Sequence, residues 1–332
     1  MLDVRLFDVA GAGEAEWDDY HEMRLAAYRS DFPELPAPTR AATISGLRAP
    51  QVQLGELLLW TAYRDGRLVG RVHVSLPVDG NDHLAALDIA VHPELRRQGI
   101  GTELLKFVAP LLGERGRTVV EGWNVNLDGD SGKWIRRHGF RLVHSTMLQI
   151  MELGGVDRAR WEVDVPEGYR LVRWTGHAPD DLVEAFAAAR RAIGDAPTGE
   201  SALTAPDWTV ERVRRIEADH HEHGIEHRTV VAVDARGEVA GLTELEARPS
   251  DRRRLMQGDT VVLGAHRGRG LGLAMKADML RWFTAGRDDL KQVWTSTGVA
   301  NTHMADVNHR LGFATVRRFG VVSRELAGLQ PL

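Results

Sequence analysis

A short pattern occurs twice in this chain and limits what it can fold into. Val91-His-Pro-Glu-Leu-Arg96-Arg-Gln-Gly99-Ile-Gly101 reappears as Val262-Leu-Gly-Ala-His-Arg267-Gly-Arg-Gly270-Leu-Gly272, 171 positions later. Upstream, Gly70 and Gly241 end matching turn-and-strand segments at the same spacing, and downstream Gly139-Phe140 matches Gly312-Phe313. Three landmarks in constant order are the mark of a duplicated unit. The expected division is a first unit over 1–152, a linker over 153–168 and a second unit over 169–332. Gly154, Gly155 and Pro166 mark the linker as a break between periodic segments, and Trp161 is its one candidate for packing.

Within the first unit, Val4 to Phe7 reads as a strand and Glu14 to Tyr28 has the apolar spacing of a helix. Pro33, Pro36 and Pro38 force a loop. Two β-rich runs, Leu57 to Tyr63 and Leu68 to Ser75, flank an Asp-Gly turn, which is a hairpin signal. Leu84 to Val91 is a strand, Thr102 to Leu112 a helix, Val119 to Val125 a strand, Gly132 to Arg137 a short helix and Arg141 to Met151 a closing strand. The second unit repeats the order, with Arg252, Arg253 and Arg254 expected in a solvated loop before its strand at Gln257 to Val262. The pattern describes an α/β fold with a mixed sheet flanked by helices.

In each copy, Arg-x-x-Gly-x-Gly stands between a strand and a helix. Glycine lets the backbone approach a ligand closely. The helix that follows presents unpaired N–H groups and a partial positive charge, a setting suited to a diphosphate. Neither copy has the Gly-Lys-Ser/Thr of a Walker loop. Nor does the turn follow the first strand of a βαβ unit, as in a dinucleotide fold.

Composition narrows the partners. A net charge of −5 provides no basic field for nucleic acid or an anionic membrane. The absence of cysteine excludes disulfides, thiolate metal sites and a cysteine nucleophile. No apolar run reaches the ~20 residues that span a bilayer, and the N-terminus has no signal-peptide pattern. A cytoplasmic protein, monomeric or homodimeric, is expected. His220, His221, His223 and His227 lie among acidic residues, but a polar helix end explains them better than a metal site, so no metal is expected.

These residues resemble the GNAT superfamily of acyl-CoA N-acyltransferases in a tandem form. Asn301-x-x-Met-x-x-x-Asn308-x-x-x-Gly312-Phe313 adds to the likeness in the second copy. The resemblance implies that acetyl-CoA lies where two parallel strands splay, with its pantetheine arm along the strand and its diphosphate on the turn. The implied contacts in the first copy are Ile89, Ala90, Val91, Arg96, Arg97, Gln98, Gly99, Ile100, Gly101 and Thr102. In the second they are Thr260, Val261, Val262, Arg267, Gly268, Arg269, Gly270, Leu271 and Gly272, with Asn301 on the pantetheine arm. The position matching Asn301 in the first copy is Asp128.

The implied reaction is direct attack of a small-molecule primary amine on the thioester, with a backbone N–H stabilising the oxyanion. A non-catalytic acyl-CoA-binding protein, or an acyltransferase acting on a peptide amine, is the alternative. Two usual features of the family are missing. The tyrosine acid is replaced by Ile135 and Asn308, and the usual base position holds Leu87 and Gly258. Asp259, Glu244 and Asn308 remain as candidates for catalysis, with Gln257, Thr260, Thr295 and Thr297 nearby and Asp88, Glu121 and Trp123 in the first copy. Asn301 and the polar strand Trp294 to Thr297 favour the second copy as the catalytic one. Asp195 to Glu200 is expected to face the acceptor.

Overall fold

The computed structural model describes residues 2–48 and 54–329. The first repeat forms β1 (Asp3–Leu6), α1 (Glu14–Asp31), α2 (Arg40–Arg48), β2 (Glu56–Arg64), β3 (Arg67–Leu76), β4 (Leu84–Val91), α3 (Ile100–Glu114), β5 (Val119–Val125), α4 (Gly129–Arg137) and β6 (Arg141–Glu152). The second forms β7 (Tyr169–Thr175), α5 (Val183–Arg190), α6 (Val210–Glu222), β8 (Glu226–Asp234), β9 (Val239–Arg248), β10 (Asp251–Val262), α7 (Leu271–Thr284), β11 (Gln292–Gly298), α8 (Thr302–Leu311) and β12 (Ala314–Glu325). The fold is mixed α/β, as the sequence pattern requires. Most strand limits fall within a few residues of expectation. Two features differ. Helix α2 follows the proline loop, where no helix was assigned in the first repeat. Arg252 to Arg254 belong to β10: Arg254 pairs with Asp251 at 2.8 Å and lies 4.0 Å over the Trp294 ring, which gives the basic run partners within the sheet.

The compact units do not follow the cut at 152 and 169. Unit 1 comprises 1–145, 199–204 and 319–332; unit 2 comprises 146–198 and 205–318. Strand order in unit 1 is β1-β2-β3-β4-β5-β12, and in unit 2 it is β6-β11-β10-β9-β8-β7. The closing strand of each unit is therefore the last strand of the other repeat. In unit 1, Val322 of β12 pairs with Gly122 of β5, antiparallel. In unit 2, Met151 of β6 pairs with Val293 of β11, also antiparallel. A sequence repeat identifies the unit's parts, but nothing in a strand's period of two says which neighbour it will pair with.

Each sheet buries both faces. In unit 1, Leu104, Leu105, Val108 and Leu112 of α3 pack on Val72, Val74, Ala85 and Val120, while Trp17, Tyr20 and Met23 of α1 cover Leu59 and Leu68 on the opposite face. In unit 2, Met275, Met279, Leu280 and Phe283 of α7 pack on Ala240, Leu255 and Val293. Phe186 and Val213, from α5 and α6, cover Val231 and Leu242 on the other face. Trp161 of the linker is 1% exposed. Its indole N–H donates to the Leu311 carbonyl at 3.0 Å, so the linker is fixed to unit 2.

Candidate active site

Both glycine turns have the same backbone. Gly99 and Gly270 stand at the N-caps of α3 and α7 with φ of 85° and 86°, and the residues two before them, Arg97 and Gly268, have φ of 64° and 76°. Only glycine takes such angles without cost. In unit 2 the first amide to close a helical bond is that of Ala274, to Gly270 O at 3.0 Å. The amides before it at the helix start are thus free of helical partners. A Cβ built on Gly268 or Gly270 would meet nothing within 4 Å, so the surface there is open to a ligand. This geometry fits a diphosphate.

The arginines of the motif act differently from expectation. Arg96 Nε donates to Val91 O at 3.2 Å, and its two Nη atoms grip Asp31 at 2.7 and 2.8 Å. In unit 2, Arg267 Nε donates to Val262 O at 3.0 Å and Nη2 to Asp195 at 2.7 Å. Each guanidinium therefore ties the strand end to the segment after the first helices. Arg97 pairs with Asp130 at 2.8 Å, while Arg269 reaches the Ala265 carbonyl and the Tyr169 ring.

Beside each turn the parallel strands part. Their paired positions end at Ala86–Glu121 in unit 1 and at Met256–Trp294 in unit 2. There the units diverge. In unit 1, β4 runs in regular register with β3 from Ser75–Ala86 to Gly70–Val91. In unit 2, Gln257 faces Leu245 and Thr260 faces Thr243, so β10 carries one extra residue between them. Gly258 and Asp259 form this bulge. A bulge bends its strand and re-aims a side chain, and glycine inside a strand is its sequence signal.

The bulge brings Asp259 to a charged cluster. Glu244 of β9, buried, is ion-paired with Arg190 of α5 and lies 3.4 Å from His227 Nε2. The second Nη of Arg190 is 3.5 Å from Asp259, and its guanidinium stacks on the Trp208 ring at 3.6 Å. Arg190, Trp208, His227 and Glu244, with Trp174, Glu217 and His220, line a cleft within unit 2. Burial raises the Glu244 carboxyl, but Arg190 and His227 outweigh it and hold the group at about 2. Asp259 experiences the reverse balance. Burial and then the Glu244 charge push its carboxyl up to about 6, against the pull of Arg190. Its side chain is nonetheless 44% exposed, so it remains open to solvent beside Arg190. Two carboxyl groups held apart in pKa divide naturally into an anchor and a proton acceptor.

Asn308, at the family's tyrosine position, is fully buried. Its Nδ2 donates to Gln149 Oε1 at 2.8 Å and to Thr297 Oγ1 at 3.2 Å. It joins α8 to β6 and β11 and has no acidic proton to give. Asn301 caps α8, its Oδ1 accepting the Met304 amide at 3.2 Å. Gln257 donates to Thr243 Oγ1 at 3.0 Å, and Thr243 and Thr260 share a bond of 2.8 Å, so this polar pair braces the bulge. Sequence reasoning missed Arg190, Trp208 and Gln149, because a partner brought in from another element leaves no local signal. The His220 and His227 rings lie 4.7 Å apart, tilted by 41°, and the described residues contain no group fit to hold a metal.

In unit 1 the candidate carboxylates are committed elsewhere. Asp88 is bound by Arg71 at 2.6 Å. Glu121, buried, accepts from Trp123 Nε1 at 2.9 Å, Ser201 Oγ at 2.9 Å and the Ala202 amide at 2.6 Å. The segment 199–204 is thus a strap on unit 1, also held by Asn81, whose Oδ1 accepts the Thr204 amide at 2.8 Å. Residues 195–198 of the expected acceptor loop stay in unit 2; Gly199 and Glu200 are in unit 1, with Glu200 3.6 Å from Arg141. The start of α3 is also crowded, because Trp134 of α4 donates to Thr102 Oγ1 at 3.2 Å.

Paired splayed sheets, each with a glycine turn opening a helix, define the class, and sequence comparison agrees: the chain belongs to the GNAT acetyltransferase family and is an acyl-CoA-dependent acetyltransferase. Residues 17–140 match the acetyltransferase (GNAT) family. A mycothiol acetyltransferase of Salinispora arenicola is 30% identical over 293 residues, covering 82% of both chains. Another, from Actinosynnema mirum, is 28% identical over 246 residues, covering 73% of this chain and 72% of the relative. Among solved structures, a tandem GNAT protein from the clavulanic acid biosynthesis pathway superposes with a TM-score of 0.79 at 23% identity, covering 98% of this chain and 99% of the other. That likeness establishes the tandem fold.

Proposed function

We propose that this acetyltransferase moves an acetyl group from acetyl-CoA to a primary amine of a small molecule, and that unit 2 carries the reaction. The observation that carries this reading is Asp259, placed by a bulge at the strand opening and raised to about 6. Acetyl-CoA supplies the activated acyl group. The free amides around Gly270 receive its diphosphate. A backbone N–H of β10 beyond Met256 meets the charge that develops on the carbonyl oxygen. Asp259 takes the proton from the attacking nitrogen, either directly or through a water. A carboxylate near 6 is better matched to that task at neutral pH than one near 4. Arg190 keeps Glu244 ionised, and Glu244 in turn keeps Asp259 basic. With asparagine at position 308, the thiolate takes its proton from solvent.

Unit 1 lacks the bulge, and its two carboxylates are bound, Asp88 by Arg71 and Glu121 by Trp123 and the strap. This supports transfer in unit 2 alone. The relatives bear the name mycothiol acetyltransferase, which favours a small-molecule acceptor over a protein. The test is free-thiol release from acetyl-CoA with a panel of small amines. Turnover with at least one amine, reduced by roughly 10²-fold or more in Asp259→Asn and retained in Asp88→Asn, is expected. Tight CoA binding without thiol release for any amine would overturn the enzymatic reading of unit 2.

A further inference from the structure

The sheet face that gathers carboxylates in unit 2 gathers guanidinium groups in unit 1. His73 and Asp88 are cross-strand partners on β3 and β4, and Arg71 lies two residues along on the same face. Arg24 of α1 covers that face. Its Nη1 donates to Thr43 Oγ1 at 2.8 Å, and Thr43 is in turn 3.1 Å from His21 Nδ1. Among the described residues, the one carboxylate bound here is Asp88, on Arg71 Nη2. Arg71 Nε and Nη1 are buried and have no acceptor among the described residues. Burial and the Arg71 charge hold His73 down at about 4, so it is neutral at physiological pH. Two cations against one anion leave an excess positive charge in a low-dielectric site, and buried guanidinium donors without acceptors are costly.

The Asp88 side chain is 54% exposed, so the cluster opens to solvent beside the strand opening rather than lying sealed in the core. An anionic group entering there would meet the idle face of Arg71 and the Arg24 guanidinium together. Arginine's planar donor fork matches a carboxylate in two-point contact. The counterpart in unit 2 has two carboxylates for one arginine, the opposite balance, and the two units are therefore built for ligands of opposite charge.

We propose that unit 1 holds a site for a carboxylate-bearing small molecule between α1 and strands β3 and β4, recognised by Arg24 and Arg71. The carboxylate comes either as the far end of an acyl chain on CoA or as a free acid. Calorimetric titration of the full chain separates these. One pair of probes is succinyl-CoA against butyryl-CoA, equal in chain length and differing in charge; the other is succinate against butyramide. The carboxylate probe of at least one pair is expected to bind about 10-fold or more tighter than its neutral partner, as a charge-assisted contact implies.

Discrimination in the CoA pair alone assigns the carboxylate to the acyl chain, and discrimination in the free pair assigns it to a free acid. Arg24→Gln and Arg71→Gln should each erase the preference, and Arg190→Gln in unit 2 should leave it. Arg24, whose one side-chain hydrogen bond among the described residues is to Thr43, is the milder change if loss of Arg71 prevents folding. No preference in either pair, or a preference lost in Arg190→Gln and kept in Arg24→Gln, would overturn the proposal. The CoA pair rests on the diphosphate reading of the turn. If no CoA thioester binds, that reading fails, while the succinate pair still decides this one.

Discussion

The guanidinium of Arg190 ion-pairs with the buried carboxylate of Glu244 while its plane lies on Trp208. Removing one partner of a buried pair leaves an uncompensated charge, typically a loss of about 3–5 kcal/mol. Arg190→Gln should therefore lower the melting temperature by several degrees. The loss should itself depend on pH. Glu244 is held at about 2 in the folded chain against an ordinary value of 4.5, so its pairing stabilises the fold fully above about pH 4.5 and fades as pH falls toward 2. Wild type and variant melting curves should converge over that window. Parallel curves from pH 7 to 2.5 would count against the ion pair as the source.

Asp259 gives the kinetic counterpart. A base must be deprotonated to act, so kcat/KM should rise with pH through about 6 and level off above it. Asp259→Asn should reduce kcat by roughly 10²–10⁴, the range for losing a general base, with little change in the KM for acetyl-CoA. Its remaining activity should have no limb near pH 6. Glu244→Gln removes the neighbouring charge that raises Asp259 and should move that limb to lower pH. Stopped assays of free thiol across pH 5–8 read all three.

The turn can be tested separately in each unit. Gly270 has φ of 86°, where a Cβ costs about 1–2 kcal/mol. Gly270→Ala should also distort the amides that receive the diphosphate, raising the KM for acetyl-CoA about 10-fold with a smaller effect on kcat. Gly99→Ala, at φ of 85° in unit 1, carries the same backbone cost. On the present reading it should leave turnover intact and lower only the number of CoA molecules bound per chain. Equal losses of turnover in both variants would place chemistry in both units.

The strap on unit 1 predicts an exchange pattern. The Ala202 amide donates to the buried Glu121 carboxylate at 2.6 Å, so its hydrogen should exchange slowly although it lies outside any helix or strand. Glu121→Ala removes the acceptor for both Ser201 and Ala202. Protection across 199–204 should then fall by an order of magnitude or more by mass spectrometry, while the amides of β9 in unit 2 stay unchanged. Unaltered protection would mean that the other contacts, from Asn81, His83 and the Val143 carbonyl, hold the segment.

Much of this was legible in the sequence, for identifiable reasons. The repeat, the hairpins and the glycine turns depend on local chemistry: Asp65 and Gly66 take φ of 52° and 76°, the angles that an Asp-Gly hairpin turn requires. Gly258 within a strand is itself a readable signal of the bulge. What stayed hidden depends on long-range pairing. Arg96 and Arg267 stand in a phosphate motif, yet each reaches a carboxylate more than 60 positions away, Asp31 and Asp195. The exchange of β6 and β12 likewise leaves no mark in either strand's own pattern.

Lys276 is a last case, invisible in the repeat until the units are compared. It sits on α7 where α3 has Leu105, is 1% exposed, and has its Nζ 5.6 Å from the centre of the Phe313 ring. Burial pushes its ammonium down to about 7 from an ordinary 10.5. The folded chain thus binds this proton more weakly than the unfolded chain, so folding is penalised when the lysine is charged. The penalty is absent above about pH 10.5, grows as pH falls, and is complete below about 7. At neutral pH it is of the order of 3–5 kcal/mol, from ~1.4 kcal/mol per unit. Lys276→Leu, which copies unit 1, should therefore raise the melting temperature at pH 7 by several degrees. The gain should shrink steadily between pH 7 and 10. A gain independent of pH would trace the effect to packing instead, and a loss at every pH would show that the amine has a partner that stabilises its charge.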